Sequence, residues 1–189
     1  PQLKVSSLLN LGLCKKDLWQ LEEAIAYFNS VYSLTQPEAE TRPEYFIYAQ
    51  CCLAYLHSCL DQTAIAATYA NQVNANHLPP RLTAWGRGYS LLYLSATYRN
   101  LGEIERSFKL YRATISYSEE NHFTQIKANA LHGMAQLYRV QNDFDSAVSY
   151  HEAAIDLLNK IGAKCDLAEA QFQFGLTYQA MARSEESRI

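Results

Sequence analysis

The densest set of reactive side chains lies in one short segment, which holds Cys51, Cys52, His57 and Cys59. Thiolate and imidazole are the ligands zinc prefers, and neighbouring thiols can also do redox chemistry. The spacing suits neither use well. Zinc takes ligands that converge from opposite sides, usually as two short pairs on different elements, and one helix cannot supply that geometry. Adjacent residues on a helix point about 100° apart, so a Cys51–Cys52 bond is disfavoured. Buried, inert thiols are the expectation here, with a redox-sensitive thiol as the alternative. The remaining histidines are His77, His122, His132 and His151, and no two share the spacing of a metal site. Phosphate-binding glycine loops, the HExxH and GxSxG motifs and a paired-carboxylate motif are all missing from the chain. These residues predict no catalysis, no metal and no cofactor.

The elements that carry these residues follow from a recurring pattern. A large apolar residue and a small one are followed, three residues after the small one, by a long or aromatic side chain. A turn-like residue comes four later, then a bulky residue, a second small one and two more packing positions. The first copy reads Leu11, Gly12, Lys15, Trp19, Leu21, Ala24, Phe28, Val31. The second reads Leu53, Ala54, His57, Asp61, Thr63, Ala66, Ala70, Val73, and the third Leu94, Ser95, Tyr98, Gly102, Ile104, Ser107, Tyr111, Thr114. The fourth reads Met134, Ala135, Tyr138, Asn142, Phe144, Ala147, His151, Ala154, and a fifth opens with Phe174, Gly175 and Tyr178. Successive first small residues lie 42, 41, 40 and 40 apart. A period of that length predicts a helical solenoid, because each unit leaves apolar surface that only its neighbour can cover.

This pattern resembles the tetratricopeptide repeat (TPR), and the resemblance spans nearly the whole chain. It implies an all-α, right-handed superhelical solenoid of antiparallel helix pairs forming one domain, residues 1–189. The repeats fall at about 3–36, 43–77, 81–119 and 124–161, with a lone final helix at 165–182. The 40–42-residue period is similar to the long-helix subgroup found in kinesin light chains and bacterial regulatory TPR proteins. Helices are expected at Leu3–Lys16, Leu21–Leu34, Pro43–Leu60, Gln62–Ala75, Arg81–Leu101, Ile104–Ser118, Gln125–Gln141, Phe144–Lys160 and Asp166–Ala182. Thr124 and Asp143 are candidate N-caps, and Gly102 and Asn142 sit where a left-handed turn is needed.

Composition narrows the function classes. The 189 residues are 49% hydrophobic and 12% aromatic, with seven glycines and five prolines, which suits a continuous helical core. A net charge of −3 without any basic run disfavours a nucleic-acid partner. No apolar stretch is long enough to span a membrane. Five cysteines without a CxxC pair suggest reduced thiols and a cytoplasmic setting. The opening Pro1-Gln2-Leu3-Lys4 suggests a piece of a longer chain, or a processed start. The final segment carries Leu167, Phe172, Phe174, Leu176, Tyr178 and Met181, more apolar surface than one helix pair can cover; a native chain that continues past this end is the expectation, with self-association through it as the alternative.

The resemblance also implies a concave groove lined by the first helix of each repeat. Transferred residue by residue, the lining includes Lys16, Arg99 and Arg139 on equivalent rungs, beside Tyr48, Tyr55 and Tyr89. Asn100, Asn129, His132 and Gln136 add hydrogen-bonding groups. Such a surface implies a non-catalytic module that binds an acidic, partly apolar peptide or helical segment of a protein partner. A second reading is the regulatory or sensor part of a larger bacterial signalling or transcription protein. A response-regulator phosphatase is the only enzyme class in view, and no residue set supports it.

Overall fold

The computed structural model describes residues 2–39 and 43–186, and all regular structure among them is helical. The chain divides into two compact units, Pro1–Glu103 and Ile104–Ile189. The first unit holds α1 (Gln2–Asp17), α2 (Leu21–Thr35), α3 (Pro43–Cys59), α4 (Thr63–Asn71) and α5 (Ala84–Asn100), with short 3-10 turns at Gln36–Glu38 and Ala75–His77. Here α1 packs on α2, α2 on α3, and α3 on both α4 and α5. The second unit holds α6 (Ile104–Glu120), α7 (Thr124–Val140), α8 (Phe144–Ile161) and α9 (Lys164–Glu186). Each packs on the next, and α9 also reaches α7.

The repeat frame has a backbone cause. Its turn residue adopts the left-handed conformation each time: Trp19 at φ 56°, Asp61 at 55°, Gly102 at 76° and Asn142 at 60°. The next N–H then donates to the carbonyl of the frame's long residue. Gln20 donates to Lys15 at 2.9 Å, Gln62 to His57 at 3.0 Å, Glu103 to Tyr98 at 2.9 Å and Asp143 to Tyr138 at 3.0 Å. This is the 6→1 bond of a Schellman ending, which satisfies a carbonyl that the helix end leaves unpaired. Gly162, at φ 71°, ends α8 similarly, with Ala163 N–H on the Leu158 carbonyl at 3.1 Å.

The small residues sit where the frame requires. Ala24, Ala54, Ala66, Ser95, Ser107, Ala135 and Ala147 are wholly buried. At Gly12 an added Cβ would come within 2.9 Å of the Phe28 ring, so α1 and α2 touch through that glycine. Gly133, which the frame does not single out, is tighter still: a Cβ there would lie 2.2 Å from Tyr111 Cζ.

Several boundaries differ from expectation. Helix α4 stops at Asn71 rather than Ala75, because the Asn-rich stretch that follows bonds to itself, with Asn74 Oδ1 accepting from Asn76 N–H. Helix α5 starts at Ala84 rather than Arg81, because Thr83 is its N-cap, accepting from Gly86 N–H at 3.0 Å. Asp143 caps α8 as expected, through Ser146 N–H, but Thr124 is no cap; Phe123 takes that position without a side-chain bond. Helix α9 runs on to Glu186 instead of ending at Ala182, the place of the frame's turn residue. Gly175 also departs from its frame role. It is exposed, with nothing within 4 Å of an added Cβ.

Candidate functional site

The first unit gathers an aromatic face on α3 and α5. Trp85, Tyr89 and Tyr93 recur every four residues along one side of α5, while Tyr48 and Tyr55 lie two turns apart on α3. Their rings form one continuous group. Trp85 and Tyr89 lie 4.5 Å apart between centroids, Tyr89 and Tyr93 5.7 Å, Tyr48 and Trp85 5.9 Å, and Tyr55 stacks on Tyr93 at 5.3 Å. These are the offset and tilted arrangements that aromatic quadrupoles favour. Lys16, in the last turn of α1, places Nζ 5.9 Å from the Tyr93 centroid while pairing with Asp17 at 2.5 Å.

Exposure grades along this face. Tyr48 and Tyr93 are each 5% exposed, whereas Trp85 is 44% exposed and Tyr89 partly so. Burial pushes the phenols of Tyr48, Tyr93 and Tyr55 well up, so all three are neutral donors at any physiological pH. The inner rings therefore support the outer ones. At the other end of the face, Arg99 donates to Asn100 Oδ1 from Nε at 3.2 Å and from Nη2 at 3.0 Å. Asn100 Nδ2 in turn donates to Ser58 Oγ at 3.0 Å. That chain holds the guanidinium in a fixed place beside Tyr55, whose phenol feels both Arg99 and Lys16.

The groove residues of the second unit are tied down within it. Arg139 donates from Nη1 to the Gln173 carbonyl at 2.9 Å and from Nη2 to Gln173 Oε1 at 2.8 Å, joining α7 to α9. Asn129 and Gln125 donate to Asp166 Oδ2 at 3.1 and 2.6 Å. The sequence pattern puts His132 and Gln136 on the groove, but the structure buries both, with the Gln136 amide donating to His132 Nε2 at 2.7 Å. The His132 ring lies 5.3 Å from that of His151, which is wholly buried. Thr177 Oγ1 donates to the Gln173 carbonyl and accepts from His151 Nε2 at 3.0 Å, which leaves His151 Nδ1 as a buried nitrogen without a hydrogen-bond partner. Burial, reinforced by the Arg139 charge, lowers the His151 pKa to about 4. A neutral, solvent-free imidazole of this kind fastens α9 to α8; it has no access to a substrate.

Cys51 and Cys52 are held in the thiol form. All five cysteines are free, and Cys51 and Cys52 are buried. Burial raises Cys51 to about 12 and Cys52 well above the ordinary thiol value, so neither supplies a thiolate at neutral pH. Among the described residues no group of three or more His, Cys, Asp or Glu side chains could hold a metal ion. Nor is any described helix long and apolar enough to cross a membrane. Trp85 and Tyr93 were outside the groove offsets of the sequence pattern. The signal that finds them is the four-residue aromatic spacing on α5.

Comparison with known proteins matches this architecture. Tetratricopeptide-repeat family models match residues 5–37 and 87–160. The chain is a tetratricopeptide-repeat protein. A putative kinesin light chain from Podosopora anserina with nearly identical TPR-like repeats superposes with a TM-score of 0.61 at 19% identity, over 97% of this chain and 90% of that one. A variant of that same protein gives 0.62 at 19% identity, over 97% and 89%. BtubC (BKLC) from P. vanneervenii gives 0.62 at 16% identity over 85% of this chain, which spans 66% of BtubC's length. None of the curated proteins matches the sequence. At these identities the likeness is one of fold. Tetratricopeptide repeats mark a protein–protein interaction module.

Proposed function

We propose that the chain is a non-catalytic, cytoplasmic interaction module whose working surface is the aromatic face of α3 and α5. Its ligand is an acidic, partly apolar peptide or helical segment of another protein. The observation that carries this reading is the gradient from buried Tyr48 and Tyr93 to exposed Trp85, with Lys16 and Arg99 at the margin. Rigid aromatic anchors bury area at little entropic cost, and such residues dominate binding energies. Lys16 and Arg99 favour carboxylates at the rim, where they add attraction that salt screens. Asn100, bonded to both Ser58 and Arg99, fixes the guanidinium at this rim rather than reaching for the peptide itself. In the second unit Arg139 and Asn129 are bonded to α9 and His132 and Gln136 are buried, so the reading rests on the first unit.

Selection of a displayed peptide library on the chain, followed by calorimetric titration of the selected peptides, tests it. Peptides with carboxylates flanking an aromatic or aliphatic anchor should emerge. Trp85→Ala should weaken them about tenfold or more at unchanged helicity, and Arg99→Ala should flatten the salt dependence. Selected peptides that bind Trp85→Ala and Tyr89→Ala as tightly as the parent would remove this face as the site.

A further inference from the structure

The outer face of α9 reads the same in both directions about Gly175. With 3.6 residues per turn, Lys164, Ala168, Gln171, Phe172, Gly175, Tyr178, Gln179, Ala182 and Glu186 fall on one side of the helix, and all nine are exposed. Counted outward from Gly175, Phe172 mirrors Tyr178, Gln171 mirrors Gln179, Ala168 mirrors Ala182 and Lys164 mirrors Glu186. Phe172 is 62% exposed and Tyr178 46%, a large apolar display for a helix surface. Gly175 has nothing within 4 Å of an added Cβ, so the centre of the face is open.

We propose that this face binds a second copy of the chain, α9 against α9, antiparallel, with the two-fold axis passing at Gly175. A two-fold interface requires a surface complementary to itself, where residue i meets j and j meets i. In this register Gly175 meets Gly175, which lets the helices approach closely. Phe172 of each copy lies against Tyr178 of the other, Ala168 faces Ala182, and the glutamine amides meet as donor and acceptor. At each end Lys164 lies opposite Glu186, so both charges of the face are complemented twice. A parallel arrangement would set Lys164 on Lys164 and Glu186 on Glu186 instead. One helix face per copy is small, below the roughly 1,200 Å² total of a standard stable interface, so the dimer is weak and concentration-dependent. The surface shares no residue with the aromatic face of the first unit, and either proposal stands without the other.

Sedimentation equilibrium of the 189-residue chain, from micromolar to submillimolar concentration, should show a reversible monomer–dimer equilibrium. Gly175→Glu should abolish the dimer while the monomer keeps its helicity and melts no lower than the parent, since the site is open and Glu is the better helix former. Lys164→Glu should also abolish it, and Lys164→Glu with Glu186→Lys should restore it. The register is read by Gly175→Cys in a Cys14→Ser, Cys165→Ser background, which should oxidise to a disulfide-linked dimer. A chain that stays monomeric throughout overturns the proposal. So does a dimer that survives Gly175→Glu, or one in which the Gly175→Cys thiols do not cross-link.

Discussion

Gly133 and Gly175 allow the same substitution to be made in opposite environments on two helices of one unit. An alanine at Gly133 would put its Cβ 2.2 Å from Tyr111 Cζ and 2.4 Å from both Cε1 and Oη. Ordinary carbon contacts begin near 3.5 Å, so ring or helix must move by more than about 1 Å. Tyr111 is 1% exposed and cannot swing aside without displacing core. Overpacking of this kind costs about 1–3 kcal/mol, and this geometry belongs at the upper end. Replacing a mid-helix glycine by alanine returns up to about 1 kcal/mol of helix propensity. The net for Gly133→Ala is therefore about 2 kcal/mol of destabilisation, a fall of roughly 4–8 °C in Tm for a chain of this size. Gly175→Ala meets nothing, so propensity alone acts and Tm should rise by about 2–4 °C. Thermal melts followed by circular dichroism at low concentration, with urea midpoints alongside, measure both. Tyr111→Leu should rescue part of the loss when combined with Gly133→Ala, leaving the pair less destabilised than the sum of its singles. A Gly133→Ala protein as stable as the parent would refute the close packing of α6 on α7 through that ring.

Three further outcomes are expected. Trp19 is 60% exposed and held at φ 56°, a conformation costing an L residue about 1–2 kcal/mol, so Trp19→Gly should stabilise by about 1 kcal/mol in urea unfolding; a loss would show that its ring packing matters more. His151 titrates near 4 when folded and near 6.5 when unfolded, so its contribution is whole above about pH 6.5, declines as the pH falls, and is spent near pH 4, a total of about 3 kcal/mol. Stability measured from pH 7 to 4 should fall more steeply for the parent than for His151→Phe, and parallel profiles would contradict the assignment. Thiol titration in denaturant without reductant should find five reactive groups per chain, and in the native state the two exposed ones, Cys14 and Cys165, should react first.

What the sequence determined by itself is the repeat. The left-handed turn every 40 to 42 residues and the small residues before and after it are local requirements of backbone and close helix approach, so they show as residue types at constant spacing. Helix number, order and most boundaries followed from that alone. Where the groove-facing residues of each first helix should lie was implied by the resemblance to tetratricopeptide repeats, carried over at fixed offsets along each helix. What each of them bonds to was decided by tertiary structure. Arg99 and Arg139 occupy the same rung, yet Arg99 rests on its neighbour Asn100 while Arg139 is taken up by Gln173, a residue 34 positions away. His132 and Gln136 read as polar lining and are buried. Gly175 occupies the place of Ala54 and Ala135, yet α9 continues past the turn position to Glu186 and the glycine stays open. Such outcomes depend on what long-range neighbours place against a residue, and a periodic pattern carries the direction of a side chain but not the identity of what it meets.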